Sequence, residues 1–232
     1  MSPLTGVLRE AWQLYKEHAA HFLTISFAIY IVAAIVASVF SALGGSPGAF
    51  LATIVNLFAV FLVQAALVEA VRDVRDGRAD LDLRATASAA LPRVLPVAGA
   101  SILASIAITI GFIFVVVPGL ILLTFWSLIV PVIVVGDARL LESFGRSWRI
   151  VRGFGWQAFG TYVLVFVIWV VFEIVLSLIL FLLPLFFRSF VSEVVAGGLM
   201  APFLALVITL VYYRLTAAHA AGEPPPRYGT SA

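Results

Sequence analysis

The chain is 232 residues long; 63% of its residues are hydrophobic and only 11% are charged. Soluble domains carry about 25% charged residues, so no soluble core hides this much apolar surface, and lipid must be the solvent for most of the chain. Cysteine is absent, which excludes disulfides, thiolate metal sites and cysteine nucleophiles.

Residues 3–20 mix polar and apolar side chains. Leu4, Val7, Leu8, Ala11, Leu14 and Tyr15 recur at helical spacing, with Arg9, Glu10, Gln13, Lys16 and Glu17 between them. That is the pattern of an amphipathic helix lying in the membrane interface, with Trp12 at headgroup depth. The apolar run that follows is longer than the core of a signal peptide, which makes it a retained helix. Residues 22–43 form a first span, because about 20 residues at ~1.5 Å each cover a hydrocarbon core ~30 Å thick. An uncharged turn at residues 44–48 leads to a second span at 50–71, with Glu69 near its end. A polar connector, Arg72 to Arg93, precedes a third span at 94–117.

Pro118-Gly119 marks a sharp turn into a fourth span, 120–135, that contains Pro131. At about 24 Å this segment is shorter than the hydrocarbon core. True spanning, which we favour, and a re-entrant pair with the third span therefore both stay open. After Gly136-Asp137 a second connector carries Arg139, Arg146, Arg149 and Arg152 up to Trp156. The fifth span, 156–183, is longer than needed and is expected to tilt. A turn at 185–193 follows, then a sixth span at 194–213 interrupted by Gly197-Gly198 and Pro202. The proline-bearing tail, residues 222–232, is expected to be disordered.

The expected fold is therefore all-α: a polytopic membrane protein with six transmembrane helices and interfacial amphipathic helices at the N-terminus and in the connectors. Of the 14 lysines and arginines, only Arg188 falls in a turn on the far side; all others lie in the N-terminal segment, the two connectors and the C-terminal segment. Positively charged loops stay inside, so both termini are expected in the cytoplasm of a bacterial-type plasma membrane. The segments Ala11 to Lys16 and Ser147 to Arg152 also align weakly, each shortly before a long apolar run. Duplication and the common needs of interfacial helices explain this equally well.

The residues Pro118-Gly119, Trp126-Ser127, Pro131-Val132, Phe144, Arg146-Ser147-Trp148, Val151-Arg152-Gly153 and Trp156 form a pattern. It resembles the membrane-domain family of glycerophosphoryl diester phosphodiesterases and related bacterial six-helix membrane proteins. Ala201-Pro202 and Tyr212-Tyr213-Arg214-Leu215 are similar to that family's last helix. The resemblance implies a membrane fold and a membrane role. Some members fuse this membrane region to a soluble phosphodiesterase domain; the resemblance implies no activity, because the His-Arg pair that opens that domain's catalytic motif has no counterpart among His18, His21 and His219.

Glu173 is the sharpest single feature. It is expected near the middle of the fifth span, where a charge costs at least ~2.5–3.5 kcal/mol. Spacing puts Tyr162, Trp169, Glu173 and Ser177 on one helix face. A proton or cation relay, or a ligand contact, competes evenly with a neutral carboxyl that only packs and hydrogen-bonds. Thr53, Asn56 and Gln64 share a face of the second span, either lining a cavity or joining helices. Ala100 and Ala104, and beside them Ser101, Ser105 and Thr109, give small-residue ridges for close packing. Arg139, Arg146, Arg149 and Arg152 are candidate contacts for anionic lipid headgroups, against the plainer reading that they enforce topology. His18 and His21 have a spacing compatible with metal but no third ligand.

No phosphate-binding loop, nucleophile elbow or paired metal motif is present. The chain is thus expected to be a non-catalytic membrane scaffold or helper, without cofactors or a nucleic-acid partner. Its expected partners are membrane lipids, a partner membrane protein or a second copy of itself. A small transporter or channel with Glu173 in its path is the alternative.

Overall fold

The structure is a computed structural model that describes residues 3–42, 44–76, 83–114, 116–182 and 185–222. Every regular element among them is helical: α1 (Val7–Glu17), α2 (Ala19–Ala42), α3 (Gly45–Arg75), α4 (Leu83–Phe114), α5 (Val116–Phe125), α6 (Ile129–Val134), α7 (Leu140–Val151), α8 (Gly155–Ile179) and α9 (Leu185–Gly222). A short 3-10 turn, Leu180–Leu182, ends α8. Six segments are long and apolar enough to cross a membrane: Ala19–Ala42, Gly45–Arg75, Ser88–Phe114, Val116–Val134, Gly155–Ile179 and Gly197–Ala221. The chain is an all-α, multi-pass membrane protein.

The bundle is built around α3 and α9. Every α3 residue from Ala65 to Val71 is buried, since α2, α4, α6 and α9 surround this half of the helix. By contrast α8 is peripheral. In its most apolar stretch 11% of residues are buried, against 61% for α9. It packs chiefly on α9 and α5. The amphipathic α1 lays Val7 and Ala11 inward and runs antiparallel along α9. Arg214 of α9 donates to the carbonyls of Pro3 and Thr5 and pairs with Glu10. Further along, Tyr15 donates to the Leu199 carbonyl at 3.1 Å. Burial there raises the Tyr15 pKa above its ordinary value. Trp12 stays half exposed, as an interfacial aromatic should.

The fourth span is broken in the middle. Pro131 has no N–H, and its ring excludes the carbonyl of Ser127, four residues back, so helix stops at Phe125 and restarts at Ile129. Backbone groups freed inside a membrane need partners. Ser147 of α7 donates to the Phe125 carbonyl at 2.7 Å, Ser127 to that of Thr124 at 2.8 Å, and the Ile129 amide to that of Trp126 at 3.2 Å. Around these bonds α7 supplies aromatics, with Trp148 on Phe125 at 4.2 Å and Phe144 edge-on to Trp126 at 5.0 Å.

Several boundaries differ from the sequence reading, each for a local reason. Pro118 and Gly119 lie inside the first turn of α5, where proline is tolerated, and do not turn the chain as expected. A Cβ on Gly111 would meet the Gly119 backbone at 3.1 Å; these glycines bring α4 and α5 together rather than turning the chain. The turn expected at 44–48 narrows because Gly45 already starts α3; Gly44 and Gly45 have φ of 74° and 68°, which glycine adopts without strain. Among its described residues the connector from Arg72 to Arg93 is mostly helical, with α4 continuing through Pro92 and Pro96. The expected turn at 185–193 is helical, and neither Gly197-Gly198 nor Pro202 ends α9. The two glycines seat α9 against α2, since a Cβ on Gly198 would meet Phe27 at 2.5 Å and one on Gly197 would meet Tyr30 at 3.3 Å. Ala100 and Ala104 are buried as expected, whereas Ser105 and Thr109 are exposed and form no packed ridge. The tail at 223–232 lies outside the described residues.

Candidate functional site

Because α8 sits loosely against the bundle, a cleft opens beneath it. One chamber, about 500 Å³, lies between α3, α8 and α9, with Tyr30 of α2 and Val130 of α6 at its edge. Glu173 and Gln64, on separate helices, both line it. Each is half buried, and among the described residues neither has a hydrogen-bond or ion-pair partner. Glu173 is nearer the far end of α8 than the sequence suggested, about 27 Å along the axis from Gly155. The rest of the lining is mostly apolar, including Leu67, Trp169, Leu204 and Ile208.

A second chamber of about 410 Å³ adjoins the first and shares Trp169, Leu204 and Ile208 with it. Tyr162 lines this chamber, 2.8 Å from Ser127 in the break of the fourth span. The helix face expected from Tyr162, Trp169, Glu173 and Ser177 is thus present, but spread over neighbouring hollows. Ser177 meets Glu173 only in a shallower hollow of about 300 Å³ on the outer side of α8, with Ile174, Leu178 and Phe181.

The expected stripe on α3 does not hold together. Thr53 and Asn56 are exposed and line no part of the cleft, and Thr53 donates to the Ala49 carbonyl of its own helix at 3.0 Å. They sit near the start of α3, away from the buried half that α9 and α8 approach. Only Gln64 of that stripe reaches the cleft.

The arginines of the second connector divide into two kinds. Arg146 donates to the Gly136 carbonyl at 2.7 Å, just past the end of α6, and is half buried. This is a structural bond to a helix C-terminus, where a cation is favoured, and it withdraws Arg146 from the lipid-contact set. Arg139, Arg149 and Arg152 are exposed and make no ion pair or hydrogen bond among the described residues. They flank α7 together with exposed Leu141, Trp148 and Trp156. The one acid on that helix is Glu142, in its first turn.

A charged network at the same end of the bundle was not foreseen. Glu69, buried in α3, lies 3.5 Å from Arg72 and 3.8 Å from Arg93 of α4, and Arg93 in turn bonds Asp137 at 2.8 Å. Asp73, one turn on, is also buried, and Arg75 lies over the Tyr213 ring at 4.1 Å. The usable signal was an acid at the end of one apolar run and an arginine at the start of the next. His18 and His21 each meet Phe22 edge-on, at 6.4 and 6.0 Å. Among the described residues no three His, Asp or Glu side chains gather as a metal site would require.

Fold and cleft together define a class: a six-span helical membrane protein with a broken fourth span and a largely apolar cavity between its helices, lined by Glu173 and Gln64. Within that class, the chain belongs to the family described as Domain of unknown function (DUF7847), whose model matches residues 83–221. The matched region holds Tyr162, Glu173 and the α7 arginines, while Gln64 and Glu69 lie before it. No curated protein and no solved structure matches the chain.

Proposed function

We propose that the protein is a non-catalytic membrane scaffold or helper that acts through lipids. Its membrane in this proposal is a bacterial-type plasma membrane, with both termini in the cytoplasm. The observation that carries the reading is the surface of α7: Arg139, Arg149 and Arg152 are exposed and unpaired beside Trp148 and Trp156. Unpaired cations beside interfacial aromatics suit anionic headgroups, at about 1 kcal/mol per arginine near an anionic surface. The charge count along the chain supports the orientation. A kinship with the membrane domains of glycerophosphoryl diester phosphodiesterases belongs to the same proposal; it rests on the residue pattern from Pro118 to Trp156 and supplies a membrane role without an activity.

The test is lipid retention in mild detergent, read by native mass spectrometry against a mixture of anionic and zwitterionic phospholipids. Wild type should keep anionic lipid, and the triple variant Arg139→Gln/Arg149→Gln/Arg152→Gln should lose roughly a hundredfold in apparent affinity for it. Equal retention by the two proteins would refute the reading. A second reading, a small transporter, has its own support: Glu173 and Gln64 line one cavity without partners. In that case Glu173→Gln abolishes transport while the protein still folds and inserts.

A further inference from the structure

The cleft beneath α8 has an uneven chemistry. In the first chamber Glu173 and Gln64 offer polar groups that no described protein group satisfies. A polar group held in an apolar environment without a hydrogen bond is costly, so a partner from outside the chain stabilises it there. Among the described residues no lysine, arginine or histidine lines that chamber. An anionic head placed beside Glu173 would meet no compensating cation. A hydroxyl or an amine meets an acceptor at Glu173 and both a donor and an acceptor at Gln64.

The second chamber differs. Its polar pair, Tyr162 and Ser127, is already joined at 2.8 Å, and the remaining walls are apolar, among them Leu123, Val165 and Phe166. Trp169 stands between the chambers and lines both. Each chamber falls within the ~300–1,000 Å³ usual for small-molecule sites, which are mostly apolar with a few placed polar groups.

We propose that the cleft beneath α8 binds an amphiphile: a hydroxyl or amine head at Glu173 and Gln64, and an apolar chain running past Trp169 into the second chamber. This deepens the lipid reading by naming a ligand class other than the anionic lipids at α7. The two stand on different residues and different probes, so either fails without the other.

The experiment uses the purified full chain and four probes of equal chain length: dodecanol, dodecylamine, dodecanoate and dodecane. Bound adducts are counted by native mass spectrometry as probe concentration rises. The hydroxyl or the amine probe should reach one adduct per chain at roughly tenfold lower concentration than dodecanoate or dodecane, the effect of about one net hydrogen bond. Glu173→Leu should erase that preference. Glu173→Gln should keep dodecanol, whose hydroxyl the amide still satisfies, and weaken dodecylamine, which loses its carboxylate partner. Ala205→Phe, which intrudes on the first chamber and leaves Glu173 in place, should weaken the dominant adduct; Glu173 is half exposed, so its variants remain informative if Ala205→Phe fails to fold. Dodecane binding as tightly as the polar probes, dodecanoate binding more tightly, a preference that survives Glu173→Leu, or no adduct on wild type would each overturn the proposal.

Discussion

Gly136→Ala tests the junction between the broken span and α7. A Cβ at this position would lie 2.6 Å from the Val132 carbonyl oxygen, 3.0 Å from the Tyr212 hydroxyl and 3.1 Å from the guanidinium carbon of Arg146. None of these is a free tip that swings away. The Val132 carbonyl already accepts from the Ala138 amide at 3.2 Å, and Arg146 is held by its 2.7 Å bond to Gly136 itself. Overpacking of this kind costs about 1–3 kcal/mol, and pushing Arg146 off the carbonyl forfeits a charged hydrogen bond of about 1.5–3 kcal/mol. The two losses share a cause and do not add in full, so about 2–4 kcal/mol is expected.

For a chain of this size that corresponds to a fall of roughly 5–15 °C in apparent unfolding midpoint. The assay is thermal unfolding of purified protein in one mild detergent, beside Arg146→Gln and a control. Gly145→Ala is the control, because a Cβ at Gly145 meets nothing within 4 Å inside α7. Removing a mid-helix glycine there should be neutral or raise stability by about 0.5–1 kcal/mol. If Gly136→Ala melts with Gly145→Ala, the junction tolerates what the distances forbid and the reasoning fails.

Ser147→Ala should cost about 1–3 kcal/mol in the same assay, since it leaves the Phe125 carbonyl in the broken span without its 2.7 Å donor; an unchanged midpoint would mean that another donor replaces the serine. Reporter fusions at Gly77, Arg146 and Ala232 should read cytoplasm, and those at Gly45 and Arg188 the outside; a cytoplasmic signal at Arg188 contradicts the charge count. A single cysteine at exposed Val117 should react with an impermeant reagent in intact cells if the fourth span crosses, and stay silent until solubilisation if it is re-entrant. Gly119 is the wrong place for that probe, because a Cβ there would strike the Phe112 ring at 2.5 Å.

The number and class of the helices were legible because hydropathy over about 20 residues reports a membrane span directly. The punctuation was harder to read. Pro118, Gly119, Gly197 and Gly198 look like breaks in a sequence, yet in lipid glycines serve close helix contact and proline fits a first turn. Pro131 does break its helix, unlike Pro92, Pro96 and Pro202, which their helices accommodate. In the candidate site, Glu173 and Gln64 each stand out in the sequence as a polar residue in an apolar run. Their meeting in one cavity depends on how α3 and α8 are rotated about α9, which side-chain spacing within one helix cannot report. Arg146 parted from its neighbours for a similar reason, since its partner is a carbonyl ten residues back.

One part of that rotation problem does have a sequence signal. Span α3 and span α8 have similar mean hydropathy, 2.3 and 2.7, yet one is central and the other peripheral. Hydropathy cannot separate them, because lipid tails and protein interiors are equally apolar. Side-chain size can. The buried side of α3 carries Ala52, Ala59, Ala65, Ala66 and Ala70, which let neighbouring helices approach closely. Along α8 the outward positions are mostly Val and Ile, among them Val163, Val167, Ile168, Val171, Ile174 and Val175, which suit contact with lipid rather than close backbone approach. Small residues in α8 cluster near its start, at Gly155, Ala158, Gly160 and Thr161, with Ser177 as a later exception, and the start is closely packed: Ala158 is fully buried, and a Cβ on Gly155 would meet Phe125 of α5 at 3.1 Å. Beyond the cavity the helix closes on α9 again, where Leu176 and Leu180 are buried with Phe172 and Val195. The cavity therefore opens between two closely packed stretches of α8, where Trp169 and Glu173 line it, and an amphiphile in the cleft would supply contacts that the helices do not make with each other there.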